Sequence, residues 1–209
     1  MTNRQVSPSY VARVEARLVA LRATLAGEIP SDIREFSWEI GSGHGHFLTQ
    51  FAALNPGRFC VGIDLLSDRL RKAEKKQTAA SLSNLKFVKA EALEFLQCLP
   101  ADIRILEVLI LFPDPWPKKR HHKNRLIQSD FLDALARRMI PGGRLYFRTD
   151  YEPYLEWTCE RLSAHVSWGL VPDAPWILEE KTVFQARAPS YGSLVAEFRT
   201  PTPEGRAVG

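Results

Sequence analysis

Short apolar segments alternate with amphipathic or polar segments of helical length along most of the chain, and this alternation constrains the fold more than any other feature. The apolar segments predict strands near residues 36–40, 59–63, 85–89, 103–112 and 145–149. The intervening segments predict helices near residues 45–54, 67–81, 125–139 and 152–165, and a short helix that ends at about residue 98. This order is typical of βαβ units around a mainly parallel sheet with helices on both faces, so we expect a Rossmann-like α/β fold.

The two ends of the chain depart from the alternation. An apolar stripe predicts a helix over about 9–26, as part of an N-terminal helical extension within residues 1–30. After residue 165 the segments 176–184 and 194–198 predict two closing strands, which we expect to pair antiparallel. The main domain is therefore expected over 31–200. Residues 201–209 begin with Pro-Thr-Pro and are expected to form a disordered tail.

The composition excludes several classes of protein. Hydrophobic residues make up 45% of the chain and charged residues 25%, as in ordinary soluble domains. No uncharged stretch approaches the ~18 residues that indicate a membrane span. Cys60, Cys98 and Cys159 lack the spacing of metal ligands. We therefore expect reduced thiols, no metal site and a cytoplasmic location.

A glycine-rich segment after the first strand favours a nucleotide-like ligand. Without a Cβ, Gly41, Gly43 and Gly45 allow a tight turn and a close approach of the backbone to the ligand. Asp64 ends the second strand, where its carboxylate can accept both hydroxyls of a ribose. NAD is one candidate, but Glu39, two residues before the first glycine, would repel its pyrophosphate. S-adenosylmethionine fits better, because it carries a ribose, a sulfonium and an amino group but no phosphate. Glu91 and Ala92, after the third strand, are placed to frame its adenine.

The segment from Phe112 to Lys123 is the most distinctive in the chain. The prolines on either side of Asp114 fix φ and remove backbone donors, so the fourth strand has to end there. Asp114 and Trp116 are thereby placed at the carboxyl end of a strand, where open α/β sheets bind their ligands. We interpret Trp116 either as a stacking face for an extruded base or as a core side chain.

A run of basic residues follows this corner. Residues 118–125 contain five Lys/Arg and two His, although the net charge of the whole chain is only +4. Such a run fits the phosphate backbone of a nucleic acid. We expect phosphate contacts from Lys118, Lys119, Arg120, Lys123 and Arg125.

These motifs resemble those of the bacterial tRNA (guanine-N7-)-methyltransferases, the TrmB family. The resemblance runs from about Phe36 to Phe198. Its motifs are Glu39-x-Gly41-x-Gly43-x-Gly45, Gly62-Ile63-Asp64, the segment Phe112 to His121, and Thr149-Asp150-x-Glu152-Pro153-Tyr154. The resemblance implies a class I methyltransferase domain that transfers a methyl group from S-adenosylmethionine to N7 of a guanine in the variable loop of tRNA.

The resemblance also implies roles for individual residues. It implies cofactor contacts at Glu39, Asp64, Glu91 and Asp114, and tRNA contacts at Lys118, Asp150, Thr182 and Gln185. The family usually has Glu at the last of these positions. Gln185 keeps a hydrogen-bond acceptor there but lacks the negative charge.

The chemistry of guanine N7 limits what the acids have to do. N7 already carries a lone pair, so the reaction needs positioning and no general base. We therefore predict that Asp114 and Asp150, at the ends of neighbouring strands, orient the base and stabilise the positive charge that it gains. Two alternatives remain: an enzyme of the same fold with another acceptor, and a non-catalytic RNA-binding paralogue, which Gln185 favours. The sequence also leaves a monomer and a homodimer open.

Overall fold

The computed structural model describes residues 7–179 and 190–200, and a seven-stranded sheet forms its centre. The strands are β1 (Glu35–Ile40), β2 (Cys60–Asp64), β3 (Leu85–Lys89), β4 (Arg104–Leu111), β5 (Met139–Thr149), β6 (Trp168–Leu170) and β7 (Gly192–Phe198). The α-helices are α1 (Pro8–Glu28), α2 (His46–Leu54), α3 (Ser67–Ala79), α4 (Ala92–Cys98), α5 (Ser129–Ala136) and α6 (Glu152–Ser163). A 3₁₀ helix spans Lys119–Asn124.

The strand order is β3-β2-β1-β4-β5-β7-β6. The first five strands in the chain pair in parallel, whereas β7 pairs antiparallel with both β5 and β6. The predicted mainly parallel sheet with antiparallel closing strands is thereby confirmed. The chain order reverses between β1 and β4, and open α/β sheets bind ligands at the carboxyl ends of strands at such a reversal.

Apolar side chains cover both faces of this sheet, because helices lie on each side of the parallel strands. One cluster contains Phe36 and Trp38 of β1 together with Phe95 of α4. Leu18, Leu21 and Leu25 of α1 belong to the same cluster. The second cluster, on the other face, contains Phe47, Phe51, Leu109 and Tyr146. No helix within residues 7–179 and 190–200 is long and apolar enough to cross a lipid bilayer.

The predicted helix over 125–139 is wrong at its amino end. α5 begins only at Ser129, and Arg125 has an extended backbone with φ −63° and ψ 137°. The backbone N–H groups of Leu126 and Ile127 donate to the hydroxyl of Tyr154, at 3.0 and 3.5 Å. The segment before α5 is therefore bonded to α6 and does not form a helical turn of its own.

The predicted strand over 176–184 is wrong where the structure describes it. Residues 176–179 form no strand, and the edge strand β6 lies earlier, at Trp168–Leu170. Pro172 and Pro175 between them lack the N–H that a strand ladder requires. Residues 180–184 lie outside the described residues.

The Pro141-Gly142-Gly143 segment, for which the sequence predicts a tight turn, forms an irregularity inside β5. Ile105 of β4 pairs with Met139, but Glu107 pairs with Arg144, so β5 contributes extra residues between these two pairs. Gly142 has φ 78°, in the left-handed region that other residues avoid. The strand therefore starts six residues earlier than its apolar segment indicates.

Candidate functional site

The glycine-rich segment forms a loop at the carboxyl edge of the sheet, between β1 and α2. The N–H groups of Gly41 and Ser42 both donate to the carbonyl of Ile63, each at 2.9 Å. Gly43 N–H donates to Oδ2 of Asp64 at 3.0 Å. These bonds attach the loop to the end of β2. All three glycines lie in the left-handed region, with φ of 75° at Gly41, 55° at Gly43 and 69° at Gly45.

Gly45 is also required by the packing around it. A Cβ at this position would lie 2.6 Å from Cζ of Phe87 and 2.7 Å from Cβ of Ala73. Real Cβ atoms do not approach other carbon atoms so closely. The third glycine therefore allows α2 to start directly against α3 and β3, which fixes the position of the loop.

Asp64 is buried at the end of β2 and bonds to backbone on both sides. Its Oδ2 accepts from Gly43, and its Oδ1 accepts from Leu66 N–H at 2.8 Å. The guanidinium of Arg69 lies 3.7 Å from Oδ2. Each carboxylate oxygen keeps a further lone pair for a ligand hydroxyl. Asp64 therefore organises the glycine loop, and its predicted contact with a ribose stays a prediction.

Glu39 is the most unusual carboxyl group in this region. It is only 4% exposed, and its Oε2 has no hydrogen-bond partner among the described residues. Burial raises the pKa of Glu39 to about 8; the N–H of Leu48 opposes this rise, and the negative charge of Asp64 adds to it. A buried carboxyl oxygen without a donor fits a ligand that brings a cation or a hydroxyl. S-adenosylmethionine satisfies this condition, whereas a pyrophosphate would bring a second negative charge.

Glu91 and Ala92 lie just beyond β3, at the same edge of the sheet. Glu91 caps α4, because its Oε2 accepts from Glu94 N–H at 3.0 Å. Its side chain is exposed, whereas Ala92 is buried. The capping bond gives Glu91 a local structural role, and the predicted contact of both residues with adenine stays a prediction.

Asp114 and Asp150 emerge at the ends of the paired strands β4 and β5. Leu111 pairs with Arg148, so both strands leave the sheet at nearly the same level. Phe112 N–H donates to the carbonyl of Arg148 at 2.8 Å, and the chain then turns sharply. Both carboxylates are exposed. The structure therefore brings the two predicted acids to one edge of the sheet.

The corner after β4 has unusual backbone geometry. Phe112 has φ 51° and Trp116 has φ 46°, values that are rare for large side chains. The Trp116 ring is partly buried and meets the ring of His121 edge-on, with 5.9 Å between centroids. Trp116 is therefore neither a core residue nor a fully open stacking face.

Three of the predicted substrate residues follow on the surface. Lys118, Lys119 and Arg120 are exposed at the start of the 3₁₀ helix. Lys123 is exposed as well. Their positive charges face solvent, as a phosphate-binding surface requires. Two further predicted substrate residues, Thr182 and Gln185, lie outside the described residues.

Arg125 corrects the interpretation of the basic run. The sequence predicts a phosphate contact, but the side chain is only 2% exposed. Its Nε donates to the carbonyl of Pro115 at 3.1 Å, and its Nη1 donates to the carbonyl of Pro153 at 3.3 Å. Arg125 therefore points into the protein, between the corner after β4 and the start of α6.

Sequence reasoning missed a second buried arginine near this edge. Arg148 of β5 is 4% exposed, and its Nε donates to Oγ of Ser193 at 2.8 Å. Its guanidinium lies 3.9 Å from the ring centroid of Trp176 and 4.7 Å from that of Tyr191. It also forms an ion pair with Glu179 at 3.2 Å. The sequence signal for it was an arginine directly after the apolar residues Leu145, Tyr146 and Phe147 of a predicted strand.

The structure shows no alternative metal-based site in the part of the chain that it describes. Within residues 7–179 and 190–200, no group of three or more His, Cys, Asp or Glu side chains is arranged to hold a metal ion. Cys60, Cys98 and Cys159 are not in disulfide bonds, and burial raises the pKa of the Cys60 thiol to about 12.

Comparisons with known proteins agree with this geometry. Residues 34–196 match the family model described as "Putative methyltransferase". The chain is 32% identical to a tRNA (guanine-N(7)-)-methyltransferase of Magnetococcus marinus, over 91% of this chain and 81% of the relative. It is 36% identical to the protein of the same name from Nitrosococcus oceani, over 77% of this chain and 69% of the relative.

Solved structures share the fold at lower identity. An aminoglycoside resistance methyltransferase superposes with a TM-score of 0.58 at 20% identity, covering 85% of this chain and 93% of its own. A 16S rRNA (adenine(1408)-N(1))-methyltransferase from Catenulisporales acidiphilia, solved with its cosubstrate SAM, superposes with a TM-score of 0.53 at 20% identity. That match covers 94% of this chain and 93% of the other.

Proposed function

Because this chain belongs to the tRNA (guanine-N7-)-methyltransferase family, we propose that it methylates N7 of a guanine in tRNA, with S-adenosylmethionine as the methyl donor. The variable-loop guanine is the proposed target within the tRNA. One observation carries the proposal more than any other. The sheet brings a glycine loop to the same edge as the exposed Asp114 and Asp150, together with a buried Glu39 whose Oε2 has no hydrogen-bond partner among the described residues.

The residues of the β1 and β2 ends are proposed to hold the cofactor. When bound, S-adenosylmethionine supplies a methyl group on a positively charged sulfur. Glu39 offers its buried Oε2, to which no described residue donates, to the positive or hydroxyl groups of such a ligand. Asp64 keeps lone pairs for ribose hydroxyls while it fixes the loop through Gly43. Glu91 and Ala92 are proposed to border the adenine.

The residues of the β4 and β5 ends are proposed to act on the guanine. N7 carries its own lone pair, so no side chain has to remove a proton. Transfer places a positive charge on the purine, and the carboxylates of Asp114 and Asp150 are proposed to stabilise that charge and orient the ring. Positioning of this kind can supply most of the acceleration that such a reaction needs.

The exposed cations after the corner are proposed to bind the tRNA backbone. Lys118, Lys119 and Arg120 lie directly after the segment that carries Asp114, so phosphates held there would place a neighbouring nucleotide at the sheet edge. Thr182 and Gln185 are proposed to complete the contact with tRNA. We also propose that the protein works in the cytoplasm, as a monomer or a homodimer and without a metal.

Methyl transfer from labelled S-adenosylmethionine to unmodified tRNA transcripts tests the function, with the product nucleoside identified by mass spectrometry. We expect 7-methylguanosine, and we expect its loss when the variable-loop guanine is replaced. A different methylated nucleoside would favour the same fold with another acceptor. Binding of both cofactor and tRNA without transfer would favour a non-catalytic paralogue, and Gln185→Glu would then be the first variant to test.

A further inference from the structure

Arg125 differs from every other cation of the basic run. Lys118, Lys119, Arg120 and Lys123 are exposed, whereas Arg125 is 2% exposed. Removing a guanidinium from water is strongly unfavourable unless its surroundings compensate. A fold that buries one arginine next to four exposed cations therefore uses it for something other than phosphate binding.

The contacts of Arg125 join two segments that lie far apart in the chain. Its Nε bonds to the carbonyl of Pro115, the residue directly after Asp114. Its Nη1 bonds to the carbonyl of Pro153, three residues after Asp150. One rigid guanidinium thus spans the two backbone segments that carry the proposed acids.

Aromatic side chains of α6 fix the guanidinium in place. Its carbon lies 4.8 Å from the ring centroid of Tyr154 and 5.1 Å from that of Trp157, distances that allow cation–π attraction. The Tyr154 hydroxyl accepts from the N–H of Leu126, directly after Arg125. The side chain of Arg125 and the N–H of the next residue are therefore both attached to α6, and the bond from Arg125 to Pro115 reaches across to the corner.

We propose that Arg125 is a positioning residue, which sets the separation and orientation of the Asp114 and Asp150 carboxylates through its bonds to Pro115 and Pro153. The proposal rests on the proposed function, because it takes these two acids as the groups that act on the base. A planar guanidinium can donate to both carbonyls at once, whereas an ammonium offers a single centre. The two bonds of Arg125 to the carbonyls of Pro115 and Pro153 form a bridge between these segments. Arg125→Lys keeps the charge but breaks this bridge, so it separates the effect of geometry from the effect of charge.

The first experiment compares Arg125→Lys with Arg120→Lys, the same exchange at an exposed position five residues earlier. We expect Arg125→Lys to lower kcat by roughly 10- to 100-fold, since small misplacements at a reaction centre have effects of this size. Its affinity for S-adenosylmethionine and the salt dependence of its tRNA binding should stay within about twofold of the parent protein. For Arg120→Lys we expect the change to appear in KM for tRNA, because Arg120 is proposed to contact a phosphate. A lower tRNA affinity with a shallower salt dependence in Arg125→Lys would instead show a phosphate contact and overturn the proposal.

A double-mutant cycle distinguishes positioning from a general loss of stability. If Arg125 acts through Asp114, the loss of kcat caused by Asp114→Asn should be smaller in the Arg125→Lys background than in the parent protein. Losses that simply multiply would contradict the proposal. The thermal midpoint of each variant is measured in parallel, so that an unfolded variant is recognised.

Hydrogen exchange gives a readout that does not depend on activity. We expect faster amide exchange in peptides covering 111–117 and 149–155 of Arg125→Lys, with unchanged exchange in β1 and β2. Unchanged exchange at the corner would show that the bridge does not hold it, even in a protein that methylates tRNA. If the parent protein forms no 7-methylguanosine but Arg125→Lys still shows faster exchange, the proposed function is refuted while the structural role of the bridge is supported.

Discussion

The two halves of the candidate site are built in different ways. At the ends of β1 and β2, the glycine loop and Asp64 are held by backbone hydrogen bonds within two neighbouring loops. At the ends of β4 and β5, the exposed Asp114 lies on a strained corner, and the buried Arg125 joins this corner to the start of α6, next to the exposed Asp150. The first half, at β1 and β2, is the cofactor half, and it depends on backbone geometry and close packing. The second, at β4 and β5, is the acceptor half, and it depends on one long side chain. Substitutions should therefore affect the two halves through different observables.

The largest effect is expected at Gly45, in the half that depends on backbone geometry. Gly45→Ala adds a Cβ against Phe87 and Ala73 at a φ of 69°, so we expect a loss of unfolding free energy on the order of 3 kcal/mol. Gly41→Ala is the matched control. It also has a positive φ, of 75°, but a Cβ there meets no atom of the described residues within 4 Å beyond its chain neighbours, and we expect a loss of about 1 kcal/mol. Urea unfolding measures both variants, and equal losses would mean that packing around Gly45 contributes nothing.

The next effect separates the roles of the acids in the two halves. We expect Asp64→Ala to weaken S-adenosylmethionine binding by about 1.5–3 kcal/mol, because a charged hydrogen-bond acceptor is lost. Asp150→Ala should leave cofactor affinity nearly intact and lower the rate of methyl transfer. Calorimetric titration and single-turnover kinetics measure the two quantities. An equal loss of cofactor binding in both variants would refute the division of the site into two halves.

The same contrast explains what the sequence could predict. The cofactor half is local: a strand, a glycine loop and an acid at the next strand end are all visible in one stretch of sequence, and the structure places Glu39, Gly43 and Asp64 together there. The sheet, with its parallel strands and antiparallel β7, follows from the same alternation.

The acceptor half depends on contacts between distant residues, and there the predictions were less complete. The helix expected from residue 125 does not start there, because Tyr154, 28 residues from Leu126, takes the N–H of Leu126. The phosphate contact expected from Arg125 is wrong, because a run of charges does not reveal which member is buried. No strand forms at residues 176–179, the described part of the expected strand, and the Trp176 ring there packs on Tyr146 and Arg148.

A smaller effect, in the cofactor half, concerns pH. The pKa of Glu39 is raised from its usual 4.5 to about 8, so between these values the folded chain keeps a proton that the unfolded chain has lost. Stability should therefore fall as pH rises through this window, by at most about 1.4 kcal/mol per pH unit from this group. Glu39→Gln should remove this contribution. Urea unfolding of the parent protein and of the variant, each measured across this pH range, gives the contribution as the difference between their free energies of unfolding. A cationic ligand favours ionised Glu39, so cofactor affinity should rise with pH over the same window. Parallel stability curves for the two proteins would contradict the burial argument.

The smallest effect is expected on the exposed cations next to the acceptor half. Each phosphate contact releases counterions, so removal of one should reduce the slope of log affinity against log salt by about 1. We expect this change for Lys119→Gln and for Arg120→Gln, measured by fluorescence anisotropy with labelled tRNA. Arg137→Gln is the matched control, because Arg137 is exposed just before β5, at the opposite edge of the sheet. It removes the same charge and should leave the slope unchanged. A similar change in all three variants would show that tRNA responds only to net charge, and the acceptor half would then lack a phosphate site of its own.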